Sequence, residues 1–431
     1  MLTNVWEMEW FNHDENKSWT INGDYGFIHM YALFMTLGVT IAIAVSAIKL
    51  WRKQVPLTGL YIGAIPIVIV SLFGASYFGK MPVGVSFWNC FKFWQGGMSI
   101  HGGVLFGGLS GIVIFYIIGR YTGVSVLVYM DAIIPNILLG QAIGRWGNFF
   151  NHELVGQPLC LAGQHNTFSW LPNFILNNTQ FQYFGPDNLN YKGLILVSGQ
   201  SYQMTPIFII ESFFLTISWI LITFIVPGIG RWISKKPWNI DQKSFAIDWR
   251  NSFRKPFSRE KTEIGYSYFE VWNRAFYSNT DIESAKQYCI EVKNLNNEYY
   301  EKIKNKEKCS YLRYRARYGK SLLKANNPNK YHITYCGIEA GVYFFLWNIV
   351  RLSLESIRPE DVLFISYKRD LSLVLVACAS IIGVAIILLS IFIFPYLSRK
   401  EDFVFEKKYF LISGEETKLL RLKDFRRKSE A

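Results

Sequence analysis

The sequence predicts an all-α integral membrane protein of about seven transmembrane helices, N-terminus outside and C-terminus inside, with a small external head and a large basic internal insertion. Three observations predict it. Hydrophobic residues make up 51% of the chain and charged residues 18%, with a mean hydropathy of +0.15. That apolar bias belongs to a polytopic membrane protein rather than to a soluble enzyme. Seven apolar stretches are long enough and poor enough in charge to cross a bilayer. Finally, Lys and Arg concentrate in every second loop.

The N-terminal segment, residues 1–26, is acidic and polar and lacks the basic start and cleavage site of a signal peptide, so it is expected to remain as an external segment. The spans follow at roughly Phe27–Ile48, Leu57–Phe78, Gly102–Gly119, Val126–Gly144, Pro206–Ile229, Cys336–Leu354 and Leu371–Leu397. The third is glycine-rich (Gly102, Gly103, Gly107, Gly108, Gly111), which serves close helix packing or makes room for lipid. Lys49, Arg52 and Lys53 follow the first span, Arg120 the third, Lys235 and Lys236 the fifth, and Arg399 and Lys400 the seventh. The positive-inside rule places these loops, and the C-terminus, inside. Lys368 and Arg369 oppose the pattern but are accompanied by Glu355, Glu360, Asp361 and Asp370.

The membrane body therefore comprises residues 27–229 and 334–398. Within it, residues 154–205 are too long for a plain connector and form the external head. Residues 230–333 form the internal insertion, with helical stretches such as Asn297–Lys324. Its Tyr311, Tyr314 and Tyr318 recur at helical spacing among Lys and Arg, and are expected to pack within the insertion in preference to touching anionic lipid. Residues 399–431 form an internal tail of mixed charge.

The formal net charge of +13 reads as a topology and lipid-surface signal. No nucleic-acid-binding motif is present, and no nucleic-acid partner is expected. The six cysteines are scattered without C-x-x-C spacing, which argues against a disulfide framework or a zinc site. Neither a metal nor a cofactor is expected.

The unusual polar residues fall at one depth. Tyr31 opens the first span, His101 precedes the third, and Arg145, Asn148 and Glu153 leave the outer end of the fourth. Glu211 lies inside the outer end of the fifth, and Arg351 and Glu355 end the sixth. Charges at the margin of an apolar span are costly unless partnered, so they point to function. Arg145 and Asn148 are three apart, as are Asn148 and Asn151, while Arg351 and Glu355 are four apart and suited to an ion pair. Two arginines from different spans make a clamp for a phosphate, and an outer-leaflet phosphodiester is the anion at that depth. Taken singly, each arginine also fits a helix-end anchor at the headgroups, and Tyr31 an interfacial belt residue.

These residues carry a resemblance. Gly144-Arg145-Trp146-Gly147-Asn148-Phe149-Phe150-Asn151-His152-Glu153, with Gly156, resembles the G-R-x-G-N-F-x-N-x-E-x-x-G motif of the prolipoprotein diacylglyceryl transferases, bacterial plasma-membrane enzymes. Blocks similar to that family's follow its order at Gly96–Gly103, Thr205–Ser212 and Arg351–Asp361, and Tyr31 is similar to its first-helix tyrosine. Thr205 stands where many members have His, Ile210 where Tyr is usual, and the insertion exceeds the connector expected there. The resemblance implies phosphatidylglycerol as donor and, as acceptor, the lipobox cysteine of a membrane-inserted prolipoprotein, with glycerol phosphate released. It also implies Arg145 and Arg351 on the phosphate, His101 or else a water or the field of the arginines in the role of base, Asn148 on the headgroup, and Glu153 and Glu211 orienting the cluster. Glu355 would position Arg351, and Tyr31, Gly102, Asn151 and Gly156 complete the substrate-binding set. Two rivals remain. A transporter or channel predicts internal repeats and charges near the midplane, which the sequence lacks; a non-catalytic scaffold is supported only by the altered fifth-span block and the insertion.

Overall fold

A computed structural model describes residues 10–13, 24–25, 28–53, 55–81, 84–92, 99–152, 155–240, 245–249, 267–277, 282–327, 329–358, 363–364 and 368–409. Six helices among these are long and apolar enough to cross a membrane. They are α1 (Met30–Arg52), α2 (Thr58–Lys80), α3 (Ile100–Thr122), α4 (Val126–Phe150), α5 (Ile207–Ile220, continuing with offsets to Ile240) and the helix Arg369–Phe392. The remaining expected span forms the helix Ile338–Glu355, whose Glu339, Arg351 and Glu355 set it apart from that apolar group. Along the α5 span the regular helix gives way to a π turn at Leu221–Ile225 and a 3-10 turn at Val226–Gly228. Pro227 there has no N–H to give the helical ladder.

The chain divides into two compact units, and each has its own internal logic. The first comprises residues 1–46, 133–223 and 339–386. Leu138 and Ala142 of α4, Leu215 and Ile222 of the α5 span and Tyr343 of Ile338–Glu355 share one apolar cluster. The C-terminal end of α4 (Phe149, Phe150) packs on Phe208 and on the short helix Asn173–Asn178. Helices α1 and α4 meet through glycine: a Cβ on Gly38 would lie 2.5 Å from the Gly140 carbonyl oxygen, and one on Gly147 would lie 3.2 Å from the Tyr31 carbonyl oxygen. Absence of side chains there lets the backbones touch.

The head adds β-structure to this helical body. Four antiparallel strands order as Phe11–His13, Gln180–Tyr183, Ser201–Met204 and Pro158–Leu161. The N-terminal segment thus contributes an edge strand to the head. Phe11, Tyr183, Tyr202 and Met204 form its core. A second hairpin, Leu189–Tyr191 with Leu194–Leu196, turns through Lys192 (φ 50°) and Gly193 (φ 90°), with Asn190 Oδ1 accepting from the Gly193 N–H at 2.9 Å. Two successive positive φ values match the right-handed strand twist.

The second unit comprises residues 47–132, 224–338 and 387–431. Helices α2 and α3 pack through Gly74 and Gly102, whose added Cβ would run into the Gly74 carbonyl, and Ser71 Oγ donates to the Gly103 carbonyl at 2.9 Å. Gly102, Gly103 and Gly107 all face α2, whereas Gly108 faces open space; packing accounts for the first three. In the insertion, Trp238, Phe245, Tyr268, Val271, Trp272 and Tyr331 build an aromatic core. The expected helical stretch Asn297–Lys324 is broken into two helices, Ile282–Lys304 and Tyr311–Asn326. Lys306 adopts φ 55°, which a helix cannot contain, and Ser310 caps the second helix by accepting from the Arg313 N–H. The two helices then fold together, with Tyr299 stacked on Tyr314 at 4.0 Å between ring centroids. Tyr314 also bonds Asn296, and Tyr318 is buried, so both pack within the insertion; Tyr311 is exposed.

The first part of the tail closes this unit. Arg399, 1% exposed, donates to the Pro395 carbonyl and pairs with Glu406, which also accepts from Tyr409. Burial opposes its charge, but Glu406 and Tyr409 outweigh that and push its pKa above the usual arginine value. Val404 exchanges backbone hydrogen bonds with the turn Gly123–Ser125 between α3 and α4.

Candidate active site

Four of the expected residues meet in the first unit. Arg145 sits near the C-terminal end of α4 because α4 runs on past the apolar stretch to Phe150. Its guanidinium donates to Glu211 Oε1 at 2.9 Å from α5. Arg351 and Glu355, one turn apart at the end of Ile338–Glu355, pair at 2.7 Å. Glu355 is fully buried and its Oε1 accepts from the Phe364 N–H. Glu211 feels Arg145, Arg351 and a third arginine together.

That third arginine is Arg358. It donates to Glu211 Oε2 and is 3% exposed, so one carboxylate is shared by two guanidiniums. Arg369 holds the turn that carries it, donating to the carbonyls of Ser356 at 2.6 Å and Arg358 at 3.1 Å. Sequence reasoning gave Arg358 no role, because it lies past the helix end, where helical spacing no longer says which way a side chain faces. Gln141 was also missed. It lies one turn before Arg145 with a buried Oε1 that has no hydrogen-bond partner among the described residues. A polar side chain inside an apolar span was its available signal.

Among the described residues, three arginines against two glutamates leave one net positive charge in a buried, narrowly accessible cluster. The side chains of Arg145 and Arg351 keep 15% and 11% of their surface, whereas both carboxylates are buried. Arg145 Nε has no hydrogen-bond partner among the described residues, which leaves donor capacity beside Glu211. A monoanion with several acceptor oxygens would balance such a cluster, and guanidinium geometry suits phosphate.

The other expected residues have separate placements. Asn148 is half-buried one turn beyond Arg145, and Asn151 is exposed just past the helix end. His152 (φ 54°) ends that helix and stacks on His13 at 3.7 Å. Tyr31 opens α1, its backbone against Gly147. Gly156 is buried, and its N–H donates to the Thr205 carbonyl at 2.7 Å, where a Cβ would press on Ile207. Thr205 ties back to the Gln157 carbonyl by both its N–H and its hydroxyl. Gly102 lies in the second unit, at the α2 contact. His101 occupies the first turn of α3 in that unit; its side chain, and all of Glu153, lie outside the described residues.

The family model described as prolipoprotein diacylglyceryl transferase matches residues 22–237, half of the chain. The chain belongs to the prolipoprotein diacylglyceryl transferase family. Its curated relatives in that family carry the name phosphatidylglycerol–prolipoprotein diacylglyceryl transferase. That of Mycoplasmoides gallisepticum is 33% identical over 246 residues, 49% of this chain and 63% of the relative. That of Oceanobacillus iheyensis is 33% identical over 158 residues, 35% of this chain and 53% of the relative. That of Clostridium botulinum is 46% identical over 89 residues, 21% of this chain and 32% of the relative. In each case the match spans less than two thirds of the relative's length. The family match ends at residue 237, so Arg351, Glu355 and Arg358 lie beyond it and rest on their own geometry.

Proposed function

We propose that this protein transfers the diacylglyceryl group of phosphatidylglycerol to the lipobox cysteine of membrane-inserted prolipoproteins, in a bacterial plasma membrane. The observation that carries the reading is the cluster of Arg145, Arg351 and Arg358 around Glu211 and Glu355, with one net positive charge. A phosphodiester carries one negative charge. The cysteine sulfur attacks the glycerol carbon bearing the phosphate, a C–S bond forms, and the C–O bond to phosphate breaks with its electron pair leaving on oxygen. Glycerol phosphate departs carrying the extra negative charge, and the thiol proton goes to a base. Fixed guanidiniums gain most as that charge develops, which is the condition for lowering a barrier.

Arg145 and Arg351 bind the phosphate and stabilise the leaving group, and Asn148 holds the headgroup. Glu211, Glu355 and Glu153 orient the polar cluster. Tyr31, Gly102, Asn151 and Gly156 belong to the substrate-binding set, and His101 is the base that takes the thiol proton. A thiol with pKa near ~8.5 needs such a base, or a positive field, to attack as thiolate. The sixth span of a seven-span body is Ile338–Glu355; at 18 residues it is roughly 27 Å long, close to the hydrocarbon thickness. Its charged residues lie in its end turns, where they meet the headgroup layers.

The test is incubation of purified protein with phosphatidylglycerol and a lipobox peptide. The expected result is a mass increase of one diacylglyceryl group on the peptide cysteine. Absence of transfer by protein that remains folded overturns the proposal.

A further inference from the structure

The insertion carries twice as many Lys and Arg as Asp and Glu over residues 231–333, and among its described residues one helix gathers part of that charge on a single face. In the helix Tyr311–Asn326, Arg315, Tyr318, Leu322 and Ala325 are buried. Arg313, Arg317, Lys320 and Lys324 are exposed at spacings of four, three and four, a single basic stripe down the opposite face. No acidic residue interrupts the helix. The approach to it adds exposed Lys304, Lys306 and Lys308 against exposed Glu301 and Glu307, together with exposed Ile303, Tyr311 and Leu312, and Glu298 of the packed helix lies near Arg317, so the surface stays net basic. Basic residues beside apolar and aromatic ones are the combination that binds headgroups and the acyl boundary together.

This helix is fastened at the inner end of the last span. Gly319 lies against the Tyr396 backbone so closely that a Cβ would collide with its carbonyl oxygen. Arg315 donates to the carbonyls of Leu397 at 3.2 Å and of Arg399, the positions where the last helix stops. The middle of the basic helix is therefore at the membrane boundary. Its first residue is only eight positions from Gly319, about 12 Å at helical rise. That is near the Debye length, within which a surface potential is felt.

We infer that the Tyr311–Asn326 helix and the turn before it form a binding surface for anionic phospholipid headgroups of the inner leaflet. The occupant is the membrane the protein spans, chosen because the stripe is charge-complementary to it and continuous with the end of a span. Binding here would hold the insertion on the inner face, on the side of the membrane opposite the proposed transfer chemistry. It does not depend on that chemistry.

Cys309, exposed in the turn, supplies the probe. Full-length protein with Cys160→Ser and Cys378→Ser is labelled at Cys309 with an environment-sensitive dye and placed in nanodiscs. The discs contain phosphatidylcholine alone or with one third phosphatidylserine, plus headgroup-level quencher lipid. Phosphatidylserine keeps the readout separate from the proposed donor. The expected result is stronger quenching in anionic discs, reversed by high salt, and weakened on the order of fivefold per charge removed in Arg313→Gln, Arg317→Gln and Lys320→Gln. These variants should keep the thermal denaturation midpoint of the parent protein in detergent, which shows that they fold. Equal quenching in neutral and anionic discs overturns the inference. So does a response to added RNA or DNA in neutral discs with none to anionic lipid, which would assign the stripe to nucleic acid.

Discussion

Glu211 balances two guanidiniums on one carboxylate, so its loss and the loss of either arginine are unequal changes. Glu211→Gln leaves Arg145 and Arg358 without their shared counter-ion in a buried site, and is expected to cost about 3–5 kcal/mol, read as a lower denaturation midpoint in detergent. An unchanged midpoint would show that the carboxylate is not their main partner. Arg145→Ala is different, because Glu211 keeps Arg358. The protein should remain folded while transfer falls by roughly 100-fold or more; Arg351→Ala should lose transfer likewise, but by stranding the buried Glu355 it should also lower the denaturation midpoint. Full activity in either variant removes the clamp. Activity retained in His101→Gln removes that residue as the base. Arg145, Glu211, Arg351 and Glu355 were legible in the sequence because each is a charge placed against an apolar span. Arg358 was not, since a helix that stops at Glu355 no longer dictates its direction.

Helix contacts here depend on where side chains are missing. The Gly38–Gly140 approach leaves no space for a methyl group, so Gly38→Ala must push α1 from α4, at a cost of about 1–3 kcal/mol. Gly108→Ala, which faces open space, should be neutral, and thermal unfolding of the two variants separates a packing effect from a general intolerance to change. The tail offers a second contrast. Arg399→Met strands Glu406 in a buried position and should cost about 3–5 kcal/mol, whereas Arg399→Met with Glu406→Met should recover most of it. Equal loss in both would mean that the contacts of Arg399 with the Pro395 carbonyl and the Tyr335 and Tyr409 rings, rather than the ion pair, hold the tail. Helix positions were readable from apolar length alone. The break at 305–310 was not, because Asn305 and Lys306 fit a helix by propensity and only pairing of the two halves through Tyr299 and Tyr314 favours the turn.

A chain with alternating basic and non-basic loops has a definite sidedness, and two compact regions make it measurable. The head sheet includes a strand from the N-terminal segment, so that segment and residues 154–205 lie on the same side. The basic insertion joins spans five and six and should lie on the other. Cys309 is exposed in the insertion, and Ser198 is exposed in the head and can be replaced by Cys without filling any packed space. A membrane-impermeant maleimide added to intact cells should modify Ser198→Cys and leave Cys309 untouched. Inverted membrane vesicles should give the reverse. The argument is electrostatic: with a net charge of +13, the cost of moving the basic segments across the membrane fixes the orientation of every span between them. Modification of Cys309 in intact cells would invert the topology. It would also place the arginine cluster on the inner leaflet, where the thiol acceptor would have to be reached from the opposite face.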